Sequence, residues 1–134
     1  MKIWTFYFIY RCMKFLSYQE FKNSDKLSLI RKFVDFCIKS LKVENPVKIV
    51  LTDEKLENTF AKYIPRLCLM KIHIKDRHLA DILRSVAHEL KHHQQSEKGE
   101  NLTNKDGSPT ENDANIFSGI VVRKFGRFHP EIYE

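Results

Sequence analysis

The stretch Asp81–Gln94 constrains this chain more than any other, because two periodicities are superimposed in it. Leu79, Ile82, Leu83, Val86, Ala87 and Leu90 recur at three- and four-residue steps, the spacing of a helix buried along one side. His88 and His92 stand four apart, so the same helix sets their imidazoles one turn from each other. At about 100° per residue, Leu90 points about 200° away from His88. The helix therefore buries one flank and offers two histidines on another, near Asp81, Ser85 and Gln95.

His88-Glu89-Leu90-Lys91-His92 is a metal-ligand spacing, and zinc is the ion it most often serves. A catalytic zinc takes three protein ligands and keeps one position open, so the two histidines leave one ligand to find. Glu89 lies about 100° around the helix from His88, too far to share the ion comfortably. It is placed instead as general base for a water whose pKa zinc lowers to about 7.

The third ligand has to come from another element. Glu111, 19 positions after His92, is the best candidate, with Asp113 as the fallback. Glu97 and Glu100 lie in a polar stretch that leaves their direction undefined. Glu111 also has a purely structural reading, since Ser108-Pro109-Thr110-Glu111 spells a capping box in which the glutamate ties back to Ser108. Asn115, one turn after Glu111, is placed to hydrogen-bond a ligand imidazole. His93 is expected on the surface or beside the ligands, His73 half-exposed on a strand, and His78 and His129 in solvent. Tyr63, Tyr133 and His129 are the candidate donors to a developing oxyanion.

Around this helix the pattern predicts an α+β fold. A helix over about 25–42, capped by Ser24-Asp25, carries Leu27, Ile30, Val34, Cys37 and Leu41, widened by Leu29, Phe33 and Phe36 into a broad backing face. Pro46 breaks it, and Val47–Leu51 reads as a strand. Glu54–Ile64 is ambiguous, Tyr63–Arg66 looks like a turn, and Leu67–Ile74 reads as a second strand. Asp76 is the expected cap of the central helix, placed at about 77–96. The polar segment Ser96–Thr110 reads as a loop. A last helix over about 109–125 follows, with Ser108 as cap, Ala114, Phe117, Val121 and Phe125 as its stripe, and Gly126 as terminator. The tail 127–134 shows no strong regular pattern.

With 134 residues, 43% hydrophobic and 30% charged, the chain suits a single globular domain, with 1–23 an N-terminal segment of uncertain role. The formal charge of +6 favours acidic partners, yet the basic residues are dispersed, so no specific nucleic acid is expected. The apolar run Ile3–Tyr10 is too short for a membrane span and lacks a signal-peptide cleavage site, which leaves an aromatic strand or docking segment. A natural start at Met13 is the other reading of this end. Cys12, Cys37 and Cys68 form no CxxC pair and suit reduced, packed thiols in a cytosolic setting.

His88-Glu89-Leu90-Lys91-His92 followed by Glu111-x-x-Ala114-Asn115 resembles the gluzincins, the thermolysin-type zinc metallopeptidases. More closely, Asp81–Leu90 together with Gly107-Ser108-x-x-Glu111-Asn112-x-Ala114-Asn115 and Arg123-Lys124-Phe125-Gly126 resembles small, single-domain zincin-like proteins encoded by tailed bacteriophages. The resemblance covers roughly residues 45 to 134. It implies a minimal zincin-like domain that binds Zn2+ through His88, His92 and Glu111, with Glu89 as base. It further implies a zinc metalloendopeptidase acting on protein or peptide substrates in the cytoplasm of an infected host cell or on the virion. The strand near Ile72 would then be the edge along which an extended peptide lies. The chain departs from thermolysin-like enzymes in having Asn115 where they place Asp, and in lacking their large second lobe. Those departures motivate the alternative of a non-catalytic, zinc-stabilised zincin-fold interaction or virion structural protein.

Overall fold

The computed structural model describes residues 3–7, 13–18, 25–102 and 107–134. The proposed cap Ser24, the thiol Cys12 and part of the predicted loop lie outside the described residues. Among the described residues five strands, β1 (Ile3–Tyr7), β2 (Met13–Tyr18), β3 (Val47–Thr52), β4 (Ala61–Ile64) and β5 (Leu69–His73), form one mixed sheet in the order β1-β2-β3-β5-β4. The helices among the described residues are α1 (Asp25–Leu41), α2 (Leu79–Glu97) and α3 (Pro109–Phe128), and the fold is α+β.

The connection β2–α1–β3 is a parallel crossover, with Phe15 opposite Ile49 in register. β3 also pairs in parallel with β5, placing Leu51 opposite Ile72. Along β3, Val47, Ile49 and Leu51 are buried while Lys48 is exposed, the alternation of a strand covered on one side. These side chains join Met70 and Ile72 of β5 and the apolar stripes of all three helices in one core. The stripe expected on α1 is buried at Leu27, Ile30, Val34, Cys37 and Leu41, with Phe33 wholly buried and Leu29 and Phe36 at its margin. Lys42 ends α1 in the left-handed region at φ 55°, and the bonds Val43 N to Ile38 O and Lys42 N to Lys39 O close a Schellman turn. Phe33 meets Phe125 of α3 edge to face at 5.2 Å, which holds the backing helix to the glutamate-bearing one.

Three local expectations, and the edge that the resemblance implied, give way to tertiary structure. Residues 61–64 form β4, where Tyr63 pairs with Met70 and Ile64 with Leu69. A 3-10 turn at Pro65–Leu67, with Cys68 left-handed at φ 45°, closes this hairpin. Hence Ile72 is not on an edge: β5 is paired on both sides, and β4 is the outer strand. Asp76 does not cap α2, because it is itself left-handed at φ 56°. The cap is His78, whose Nδ1 accepts from the Ala80 amide at 3.3 Å.

Gly126 likewise does not terminate α3, which continues to Phe128. A Cβ at Gly126 would stand 2.6 Å from the Tyr133 ring, so glycine serves here for close approach. The tail folds as a 3-10 turn, Pro130–Tyr133, that inserts Ile132 fully into the core. Among the described residues, no helix is long and apolar enough to cross a membrane.

Candidate metal centre

All six predicted stripe residues of α2, from Leu79 to Leu90, are buried, and this fixes the rotation of the helix about its axis. His88 and His92 consequently share the flank that faces α3, with their rings edge to face at 4.7 Å. Their Nε2 atoms are 3.1 Å apart. Ser108 accepts from the Glu111 amide through its hydroxyl at 3.3 Å, starting α3 where the Ser-Pro signature places it. The Glu111 side chain turns to the histidines, with Oε2 at 2.9 Å from His88 Nε2 and 3.4 Å from His92 Nε2.

His88, His92 and Glu111 thus offer three ligand atoms within 4.8 Å of one another. Ligand atoms on a tetrahedral ion with bonds near 2.0–2.1 Å stand about 3.3 Å apart, so these spacings fit a small metal ion.

The hydrogen bonds behind the ligands fix which ring nitrogen is free. The Gln95 amide nitrogen donates to the Thr110 carbonyl at 3.0 Å, which turns its oxygen toward His92. That oxygen accepts from His92 Nδ1 at 2.7 Å, leaving the Nε2 lone pair for a metal. Asn115 lines the cleft beside His88 and acts on its ring in the direction of holding a proton. Burial holds the His88 imidazole below its ordinary range, with the neighbouring His92 acting the same way and Glu111 opposing them. The neutral ring is the form that binds metal.

Glu89 is buried on the neighbouring side of α2 and lines the same cleft as the ligands. Burial first, and the like charge of Glu111 second, push its carboxyl up to about 8. The cleft has a volume of about 850 Å³ and is bounded on one side by residues 57–63, which include the start of β4. Arg77 braces this wall: it donates to the His73 carbonyl at 2.6 Å and to Ser85 Oγ at 2.7 Å, with its guanidinium 4.9 Å from the Phe60 ring.

The remaining sequence candidates are distributed differently. Asp113 is exposed on α3 and outside the ligand group. Glu97 is engaged elsewhere, accepting from the Asn45 amide at 2.7 Å and facing His93 Nε2 at 3.3 Å. Glu100 is exposed.

His93 is not a surface residue; it is 1% exposed and is contacted at both ring nitrogens. The Tyr63 hydroxyl lies 2.7 Å from its Nδ1, and the Asn45 carbonyl 3.0 Å from its Nε2. The step from Val86 and Leu90 to His93 is the core stripe itself, so periodicity alone would have found this burial. His73 is also buried, with Nδ1 at 2.8 Å from the Glu54 carbonyl. Among the oxyanion candidates, Tyr63 lines the metal cleft, Tyr133 lies by Gly126, and His129 stacks on Phe125.

The chain matches no protein-family model, no curated protein and no solved structure.

Proposed function

We propose that this protein is a zinc metallopeptidase of the minimal, gluzincin-like kind, hydrolysing peptide bonds in extended protein segments. The observation that carries this reading is the convergence of His88 Nε2, His92 Nε2 and Glu111 Oε2 within 4.8 Å on an open cleft that Glu89 also lines. Two neutral imidazoles and one carboxylate are a donor set of hydrolytic zinc sites. Bound there, zinc would supply Lewis acidity toward a carbonyl and lower the pKa of a water to about 7.

The chain's own residues carry the rest. Gln95 and Asn115 orient the two imidazoles. Glu89 takes the proton of the attacking water and returns it to the leaving amine. The outer side of β4 offers main-chain donors and acceptors along the cleft, so an extended substrate adds there as a further strand.

Elemental analysis should find one zinc per chain, and the zinc-loaded protein should cleave an unstructured protein. Glu89→Gln should keep the metal and lose cleavage; activity retained in that variant would sink the mechanism. Zinc bound with no turnover on any peptide library would instead support the non-catalytic, zinc-stabilised scaffold.

A further inference from the structure

A second hollow, of about 490 Å³, opens where α2 and α3 pass each other. Arg84 of α2 and Arg123 of α3 both line it, and Arg84 lines the metal cleft as well, so the two depressions share a wall. Both arginines are exposed, and among the described residues neither is in an ion pair. The one carboxylate in the hollow, Asp81, is already held by Arg77 through contacts of 2.9 and 2.7 Å. His78 also lines the hollow; its Nδ1 accepts from the Ala80 amide, which leaves Nε2 as the donor of the neutral ring. Gly119 contributes no side chain, and a Cβ there would meet nothing within 4 Å.

From these residues we infer that the hollow is a carboxylate-binding subsite for an acidic peptide segment that continues out of the metal cleft. The inference rests on the peptidase reading for its substrate class. Two guanidinium groups from different helices suit the planar, two-oxygen geometry of a carboxylate better than a single point charge would. Continuity through Arg84 sets the position of the acidic group. Arg84 precedes His88 by one turn, about 6 Å along the helix, which an extended peptide covers in about two residues. The carboxylate comes from an acidic side chain near the scissile bond or from the end of the substrate chain, two sources with the same chemistry.

The test is binding to the zinc-loaded Glu89→Gln protein, read by fluorescence anisotropy with three peptides of one length. One carries Asp and Glu with an amidated C-terminus, one is neutral and amidated, and one is neutral with a free C-terminus. A carboxylate-bearing peptide should bind roughly tenfold more tightly than the neutral amide, the scale of one charge-assisted hydrogen bond. Whichever of the two gains identifies the source. The gain should vanish in the double variant Arg84→Gln/Arg123→Gln, and in Gly119→Phe, which fills the hollow without changing charge. It should survive in Lys124→Gln, an exposed charge on α3 that lines neither depression.

Equal binding of all three peptides would overturn the inference, as would a preference that persists in either altered hollow. Failure of the peptidase reading is separate, and would appear as bound zinc without cleavage by the unaltered protein.

Discussion

Gln95 and Thr110 join the two ligand-bearing helices through one hydrogen bond of 3.0 Å, and the same glutamine holds His92 at 2.7 Å. The orientation of the His92 ring, one of the three groups that could hold a metal, is therefore set by a backbone carbonyl of α3. Gln95→Leu keeps the volume but removes both partners. Metal affinity should fall by roughly 10- to 100-fold, the usual cost of losing such a supporting bond. Competition with a chromophoric chelator measures it, and an unchanged affinity would show that the ring holds its orientation without the amide.

Removing the metal should give stability a pH dependence traceable to Glu89. Its carboxyl stands at about 8 against an ordinary 4.5, so the folded chain binds a proton that the unfolded one has released. That contribution is complete below pH 4.5 and is lost as pH rises through about 8. His88 is shifted the opposite way: its contribution is present above its ordinary 6.5 and lost as pH falls. Between pH 6.5 and 8, then, Glu89 governs, and the chelator-treated protein should lose on the order of 2 kcal/mol. Urea denaturation at the two pH values checks this. Glu89→Gln should flatten the difference.

Tyr63 and His93 form a strut between the outer strand and α2, with 2.7 Å between hydroxyl and Nδ1. Tyr63→Phe leaves a fully buried ring nitrogen without that partner and should cost about 1–3 kcal/mol in denaturant unfolding. Metal affinity should change little, because among the described residues no hydrogen bond or ion pair joins Tyr63 or His93 to His88, His92 or Glu111. A large loss of metal binding would show that the strut also positions His92.

The two glycines of α3 should respond in opposite directions to alanine. Gly126→Ala drives a methyl into the Tyr133 ring at 2.6 Å, and displacing the 3-10 turn should cost about 1–3 kcal/mol. Gly119→Ala meets open space in a helix interior and should gain about 0.5–1 kcal/mol. Paired thermal melts read both, and a stabilised Gly126→Ala would contradict the packing described for Tyr133.

What could be read from the chain in advance was whatever a single helix states about itself. The α2 stripe from Leu79 to Leu90, the facing of His88 and His92, and the Ser108-Pro109 start of α3 all follow from local period and capping. Glu111 was legible as well, because a capping signature placed it in the first turn of α3. Elements defined by their partners were harder to see. β4 spans only four residues and exists because Tyr63 and Ile64 find Met70 and Leu69, which no local pattern announces. Gly126 carries a strong local signal for a helix end, yet the contact with Tyr133 assigns it another role. Asp76 and His78 show the same competition at the start of α2, where the aspartate takes the left-handed turn and the imidazole takes the cap.

The ligand set is divided along the chain: His88 and His92 precede the connection between α2 and α3, and Glu111 follows it. Severing that connection would leave two fragments, neither holding a full set of ligands. Metal uptake would then depend on the fragments finding each other, at a concentration no longer supplied by the tether. A split form of this protein would thus report metal ions as assembly, with affinity tuned by how much of each fragment is mixed.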